Sequence, residues 1–282
     1  MSSPPEYVPK PITEEVNVTP VHPLANLAYL LAVISAFSVG AYLVLGWISD
    51  ILVNRIDQET EVEIARRVNP PELEDEASDR DPRAVYSLDL LNAIRDEEIV
   101  ERVPLRLNVV ESEAPNAGVF PGGHIVVTEG LFDAVESENA LAFVLAHELG
   151  HFENRDPLER LGRGLVFVTI TSALGLNSDG GGGRVVSVAS ELTALHYGRG
   201  QELAADEFAL AKVVEHYGHG GGSLEFFESI LASGNDNRFT DYFSTHPMTQ
   251  IRIDRLYDLA ERNGWSMTGS LTPLPDNVRV AK

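Results

Sequence analysis

His147, Glu148 and His151 form an H-E-x-x-H pattern inside the apolar run Leu141-Ala-Phe-Val-Leu-Ala-His-Glu-Leu-Gly-His151. The run reads as helix, and residues four apart share one helical face, so both imidazoles can point at a single ion. Glu148 lies beside them, placed to take a proton from a water that the ion activates. Such a site needs one more protein ligand and one position left for water. A third His six residues after the second is excluded, because Pro157 stands there. The remaining ligand is then expected to be a carboxylate from another helix. Glu202 and Asp206, four apart in Arg199-Gly-Gln-Glu-Leu-Ala-Ala-Asp-Glu, supply it. Glu202 can ligate, and Asp206 can accept the spare ring N–H of a ligand His and fix its tautomer.

The motifs together resemble a known family. H-E-L-G-H-F-E-N-R-D (147–156), E-L-A-A-D (202–206) and S-T-H-P-M-T-Q-I-R-I (244–253) look like the signature of the HtpX and CAAX prenyl endopeptidase type of zinc metalloprotease. Upstream, Asn116-Ala-Gly-Val-Phe-Pro-Gly-Gly-His-Ile-Val-Val-Thr128 resembles the same family's strand pair, and the likeness runs through residues 85–260 in order. It implies a membrane-associated endopeptidase holding one Zn2+ per chain on His147, His151 and Glu202. Its substrates would be proteins or peptides, with membrane proteins in need of removal as the expected class. The resemblance gives main-chain substrate binding to Ile125, Val126, Val127 and Thr128. It also puts the His246-Pro247 element next to the site. There His246 either binds the oxyanion or fills the open metal position at rest, while Arg252 pairs with Asp206 or Glu202. A helix cap and a structural ion pair are the plainer roles for the same two residues.

The elements that must position these groups are legible in outline. Leu88 to Val100 has helical periodicity, and Val103 to Val110 alternates like a strand. Gly122-Gly123 marks a hairpin leading into Ile125–Thr128, and Ser137-Glu-Asn-Ala opens the motif helix with a cap. His124 reads as a surface residue. Leu165 to Leu176 is apolar but short for a span, suiting a buried or membrane-surface helix. The helix of Glu202 is expected to run to about Tyr217, stopped by Gly218. The fold class is α+β: a mostly helical, zincin-like metalloprotease domain with a small β-sheet, preceded by one N-terminal transmembrane helix.

Charge and composition narrow the partners. A formal net charge of −22 repels phosphate backbones and argues against nucleic acid. Only three of the 21 basic residues are lysines, and the Gly180–Gly183 run lacks the Lys-Ser/Thr of a phosphate loop, so no nucleotide is expected. With no cysteine, disulfides and thiolate metal sites are excluded.

From Leu27 to Ile48 the chain carries no charge for 22 residues, enough to cross hydrocarbon as one helix, with Tyr29 and Trp47 near its ends. No basic stretch precedes it, which disfavours a signal peptide. Membrane lipid is thus an expected partner, through a single pass of the plasma (inner) membrane. Lys10 precedes the span while Arg55, Arg66 and Arg67 follow it, leaning toward a cytoplasmic catalytic domain. The organisation read from sequence is a disordered tail (1–23), the transmembrane helix (24–49) and a juxtamembrane helix with acidic linker (50–84). The metalloprotease domain (85–264) and a C-terminal tail (265–282) follow. The rival functions are an inert membrane-anchored adaptor of the same fold, or a zinc aminopeptidase. An intact Glu148 disfavours the first, and no acidic motif for a substrate amine supports the second.

Overall fold

The computed structural model describes residues 22–69, 81–95, 104–174, 197–232, 242, 245–247 and 250–279. Its elements in chain order are α1 (Pro23–Val53), α2 (Gln58–Val68), α3 (Pro82–Ile94), β1 (Arg106–Val110), β2 (Ala117–Phe120) and β3 (His124–Thr128). They are followed by α4 (Glu129–Ala134), α5 (Glu138–Glu153), α6 (Asp156–Ala173), α7 (Arg199–Tyr217), α8 (Glu225–Ala232) and α9 (Gln250–Asn263). The chain is therefore α+β, mostly helical with one small sheet.

α1 starts on Pro23, whose fixed φ suits a first helical position, and His22 Nδ1 accepts from the Leu24 amide at 3.3 Å. It is the one helix among the described residues long and apolar enough to cross a membrane, and its apolar stretch is not buried in protein. At 31 residues and about 1.5 Å each it exceeds a hydrocarbon core of about 30 Å. Its C-terminal end packs on α6, which runs back along it. Gly162 makes this possible: a Cβ there would come within 2.0 Å of Ser49 Oγ. The Arg163 guanidinium then clamps Asp50 through two bonds of 3.0 and 2.6 Å. The apolar half of α6, expected to be buried or at a membrane surface, leaves Leu165 and Phe167 exposed beside α1 while Val168 is buried.

The helix read from sequence as juxtamembrane is α2, and it packs on the hairpin of the sheet. Glu61 Oε1 accepts from Gly122 N at 3.1 Å and Asn69 Nδ2 donates to Pro121 O at 2.9 Å, so α2 holds the β2–β3 turn. The acidic linker falls at 70–80, outside the described residues. α3 begins at Pro82, six residues before the expected start, because Asp81 caps it by accepting from Arg83 N at 2.8 Å. The boundary read at residue 85 thus falls within a helix.

The sheet has the order β1-β3-β2, with β1 parallel and β2 antiparallel to β3. Two sequence readings need correction here. Ile125–Thr128 is the central strand, bonded on both sides, so its main chain has no edge to offer a substrate. His124 is buried beneath the hairpin turn, its ring close to Gly122, instead of lying at the surface.

α5 is buried at every position from Asn139 to Phe152, as a helix apolar all round must be. Ser137 caps it, its Oγ accepting from Ala140 N at 3.1 Å. β2 packs on one flank and α7 on another. The close approach to α7 depends on Gly150, where a Cβ would stand 3.1 Å from Ala205 Cα. α7 stops at Gly218, which takes φ +78°. The C-terminal stretch is no free tail over residues 265–279. Leu274 and Val278 are buried, and Thr272 exchanges bonds with the start of α5, accepting from Glu138 N (2.8 Å) and donating to Asn139 Oδ1 (2.9 Å). Sequence polarity hid this, because the apolar side chains that pack on the core, Trp265, Met267, Leu274 and Val278, are dispersed among polar residues and prolines.

Candidate metal centre

The expected site residues meet where α5 and α7 touch. His147 and His151 present their Nε2 atoms to each other at 3.1 Å. Their other nitrogens are held from behind. Asp156 Oδ2 lies 2.7 Å from His151 Nδ1, and Asp206 Oδ1 lies 2.9 Å from His147 Nδ1. A carboxylate at Nδ1 holds the proton there, so each Nε2 is left as a lone pair. Two lone pairs facing at 3.1 Å repel unless a proton or a cation lies between them.

Glu202 completes the triangle from the first turn of α7. Its carboxylate oxygens lie 3.5 Å from His147 Nε2 and 3.6 Å from His151 Nε2. His246 adds a fourth donor, its Nδ1 3.4 Å from His147 Nε2 and 3.0 Å from Glu202 Oε1. Ligands about 2.0–2.1 Å from a tetrahedral metal stand about 3.3 Å apart, so these spacings fit such an ion. His147, His151, Glu202 and His246 form a buried group whose donor atoms all lie within 4.8 Å of one another. The donor set fits a divalent metal ion.

The electrostatics favour a cation in the centre. Burial alone would lower the pKa of His147, but the Asp206 and Glu202 carboxylates outweigh it and raise it to about 9, so a metal ion bound at Nε2 takes the place of a proton. Burial would raise Glu202, yet the three imidazoles hold it far below the usual carboxylate range. His246 goes the other way, because burial prevails over Glu148 and Glu202 and keeps its ring neutral. Asp206 stays ionised despite burial because Arg252 grips both its oxygens at 2.7 Å. Arg252 also reaches Glu202 Oε2 at 2.7 Å, so it pairs with both acids that the sequence offered as alternatives. Glu148 is fully buried, and neither of its oxygens has a hydrogen bond among the described residues. His246 Nε2 faces its Oε1 from 3.5 Å. A buried carboxylate without donors is costly and is retained where it has work to do.

The profile of Peptidase family M48 matches residues 91–260, more than half of the chain. The chain belongs to peptidase family M48. This M48 chain is 29% identical over 202 residues to a protease HtpX homolog of Thermococcus sibiricus, covering 56% of this chain and 69% of that protein. It is 29% identical over 225 residues to a protease HtpX homolog of Aquifex aeolicus, covering 59% and 72% respectively. To the mitochondrial metalloendopeptidase OMA1 of Schizosaccharomyces pombe it is 26% identical over 178 residues, 62% of this chain but only 52% of that one. With family and relatives agreeing, the M48 chain is a metalloprotease, and its substrates are peptides or proteins.

Three neighbours of the M48 centre escaped the sequence reading. Asp156 lies beyond the helix break at Asn154-Arg155, where spacing arguments along α5 no longer apply. Tyr197 stacks on the His151 ring at 3.7 Å, and the Arg160 guanidinium lies 3.9 Å over the Tyr197 ring. Gln201 donates to Asp156 Oδ1 at 2.7 Å and so ties α7 back to the start of α6. Only Asp156 carried a signal, as the last residue of the H-E-L-G-H-F-E-N-R-D run.

Proposed function

We propose that this M48 protein is a membrane-anchored zinc metalloendopeptidase with the metal on His147, His151 and Glu202. The observation that carries the reading is the pair of Nε2 lone pairs aimed at one point, each ring backed by its own aspartate, beside an uncommitted Glu148. Two imidazoles and a carboxylate suit zinc among the common metals. When bound there, zinc would supply Lewis acidity, lowering the pKa of a water and polarising the scissile carbonyl. Glu148 accepts the water's proton at a carboxylate oxygen and delivers it to the departing amine. Asp156 and Asp206 hold the rings against rotation, and Arg252 holds the Glu202 carboxylate by pairing at Oε2, which leaves Oε1 facing the centre.

His246 acts as a resting-state occupant in this reading. Its Nδ1 sits where a fourth donor belongs, and its ring lies on Tyr242, with centroids 5.0 Å apart. A substrate carbonyl reaches the centre once that ring gives way, after which His246 is poised to bind the oxyanion. The extended substrate runs along β2, the edge strand that packs on α5. Thr128 N donates to Asn116 O, so the alternation of an antiparallel ladder turns the main-chain groups of Ala117 and Val119 away from β3. The Ala117 amide is taken by Asn116 Oδ1 at 2.9 Å, so it is the Val119 amide and the two outward carbonyls that suit main-chain pairing with a peptide.

α1 anchors the enzyme in the membrane, and the arginines following it favour a cytoplasmic catalytic face of the plasma membrane. Its substrates are then exposed segments of membrane proteins, in the service of quality control. The test is metal content and casein turnover of the full chain in detergent, compared with Glu148→Gln. Both are expected to bind about one zinc per chain, with turnover lost in the variant by a factor of about 100 or more, on the order of what general-base loss costs. Full turnover in Glu148→Gln would refute the assignment of the base.

A further inference from the structure

Arg155 is the one non-glycine residue with positive φ among the described residues, at φ 60° and ψ 21°. That left-handed conformation costs an ordinary side chain about 1 kcal/mol and persists only where the surroundings impose it. Here the residue joins α5 to α6, its amide donating to Phe152 O and its carbonyl accepting from Glu159 N, both at 3.0 Å, and its side chain adds contacts to α1. Arg155 Nη1 donates at 3.2 Å to the carbonyl of Val53, the last residue of α1, which also accepts from Ile56 N at 3.1 Å, and donates to Ile56 O at 2.6 Å just past the helix. A guanidinium there also faces the negative end of the helix dipole. The same seat is fixed eight residues on by the two-bond Arg163–Asp50 clamp and by the Ser49–Gly162 approach.

On its other side Arg155 is joined by one peptide bond to Asp156. Asp156 is buried, and its Oδ2 lies 2.7 Å from His151 Nδ1. The backbone angles of Arg155 therefore set the direction in which the Asp156 carboxylate points. A route of covalent and short polar contacts thus leads from the end of the apolar helix to one imidazole of the metal centre, with a single residue in the middle.

We propose that Arg155 is a positioning residue that couples the seating of α1 to His151, so that α1 tightens metal binding as well as anchoring the chain. When α1 is seated, its carbonyls hold Arg155 left-handed and Asp156 holds His151 with Nε2 toward the centre. When the seat loosens, the junction relaxes and His151 loses its partner. This coupling rests on the proposed role of His151 as a metal ligand.

The experiment uses the full chain in detergent micelles and measures the zinc dissociation constant by competition with a chromophoric chelator. Cobalt(II) absorption bands of the same samples report ligand geometry. Arg155→Gly keeps the left-handed backbone accessible and removes the guanidinium, while Arg163→Ala loosens the same seat without touching the α5–α6 junction. Losing a partner that orients a ligand weakens metal binding about 10–100-fold. Arg155→Gly is expected near the lower figure, with shifted cobalt bands, and Arg163→Ala in the same direction by about threefold, as the more distant lesion. If Arg155→Gly does not fold, Arg155→Lys, which retains one cationic donor, takes its place in the comparison.

Unchanged zinc affinity and cobalt bands in the Arg155 variant, with wild type binding one zinc, would overturn the proposal even if thermal stability fell. An effect in Arg155→Gly with none in Arg163→Ala would overturn the part given to α1. Failure of wild type to bind zinc would instead overturn the ligand assignment itself.

Discussion

His147 and His151 each have an aspartate at the back, but the two aspartates are held differently, and their removal should be told apart. Asp206 is clamped between His147 and the buried Arg252, whereas Asp156 is held by Gln201 and the start of α6. Both Asp156→Asn and Asp206→Asn are expected to weaken metal binding about 10–100-fold. Only Asp206→Asn also strips a buried guanidinium of its two-bond partner, a loss worth about 3–5 kcal/mol in buried ion pairs. Metal titration alongside thermal unfolding of the metal-free chain checks this: equal destabilisation by the two variants would contradict it. His246→Ala addresses the fourth donor. With three ligands intact the variant should keep its metal, and turnover of a small peptide should rise severalfold because nothing competes with the substrate carbonyl. Reduced turnover with retained metal would mean that its oxyanion role dominates. Of these residues, Asp206 was legible because it lies one turn from Glu202 on a single helix. Asp156 was hidden because the chain reverses at Arg155, and helical spacing carries no information across a reversal.

At the scale of elements, the sequence located the hairpin but misjudged which of its strands is free. A strand read from Ile125-Val-Val-Thr128 looks the same whether it is an edge or a centre, since a run of β-branched residues suits both. What makes β3 central is β1, which joins it in parallel from upstream of the hairpin, and no local pattern announces that pairing. Of the hairpin's two strands the edge is β2, and its register makes a selective test possible. Val119→Pro deletes an amide that points away from β3, so the β2–β3 ladder keeps its bonds. Metal content is expected to hold while kcat/KM for peptides falls about tenfold, the worth of roughly one main-chain hydrogen bond. Val126→Pro gives the contrast, since it removes a ladder bond in the central strand and should cost fold and metal together. If Val119→Pro cleaves peptides like wild type, β2 is not where substrate lies. The capping residues show the opposite case, in which local chemistry suffices: Ser137 and Gly218 mark the start of α5 and the end of α7 in the sequence as in the structure.

At the scale of the molecule, if α1 crosses a membrane as proposed, its seat on α6 fixes how deep the rest of the chain sits. The Asp50–Arg163 clamp marks the charged end of α1, and α6 runs back from it toward the middle of the apolar helix. A cavity between the two is lined by Ser38 and Tyr42 on one side and Phe167, Ile170 and Leu174 on the other. Whatever stands beside residues 38–42 of a membrane-crossing helix shares their depth. Phe167 lies five residues beyond Gly162, about 7 Å further along the helix axis. The polar groups on this stretch are already internally satisfied, with Thr169 and Thr171 hydroxyls donating to Leu165 O (2.7 Å) and Phe167 O (3.0 Å). Side chains so arranged tolerate hydrocarbon, where an unsatisfied hydroxyl would cost several kcal/mol. The chain contains no cysteine, so a nitroxide can be placed at a single introduced position without other changes. In proteoliposomes a label at Phe167→Cys is expected to collide with oxygen and to be shielded from a water-soluble nickel chelate, with a label at Glu159→Cys showing the reverse. Equal access of the chelate to both would mean that α6 lies in water and that α1 cannot cross the bilayer with its Ser38–Tyr42 face in hydrocarbon.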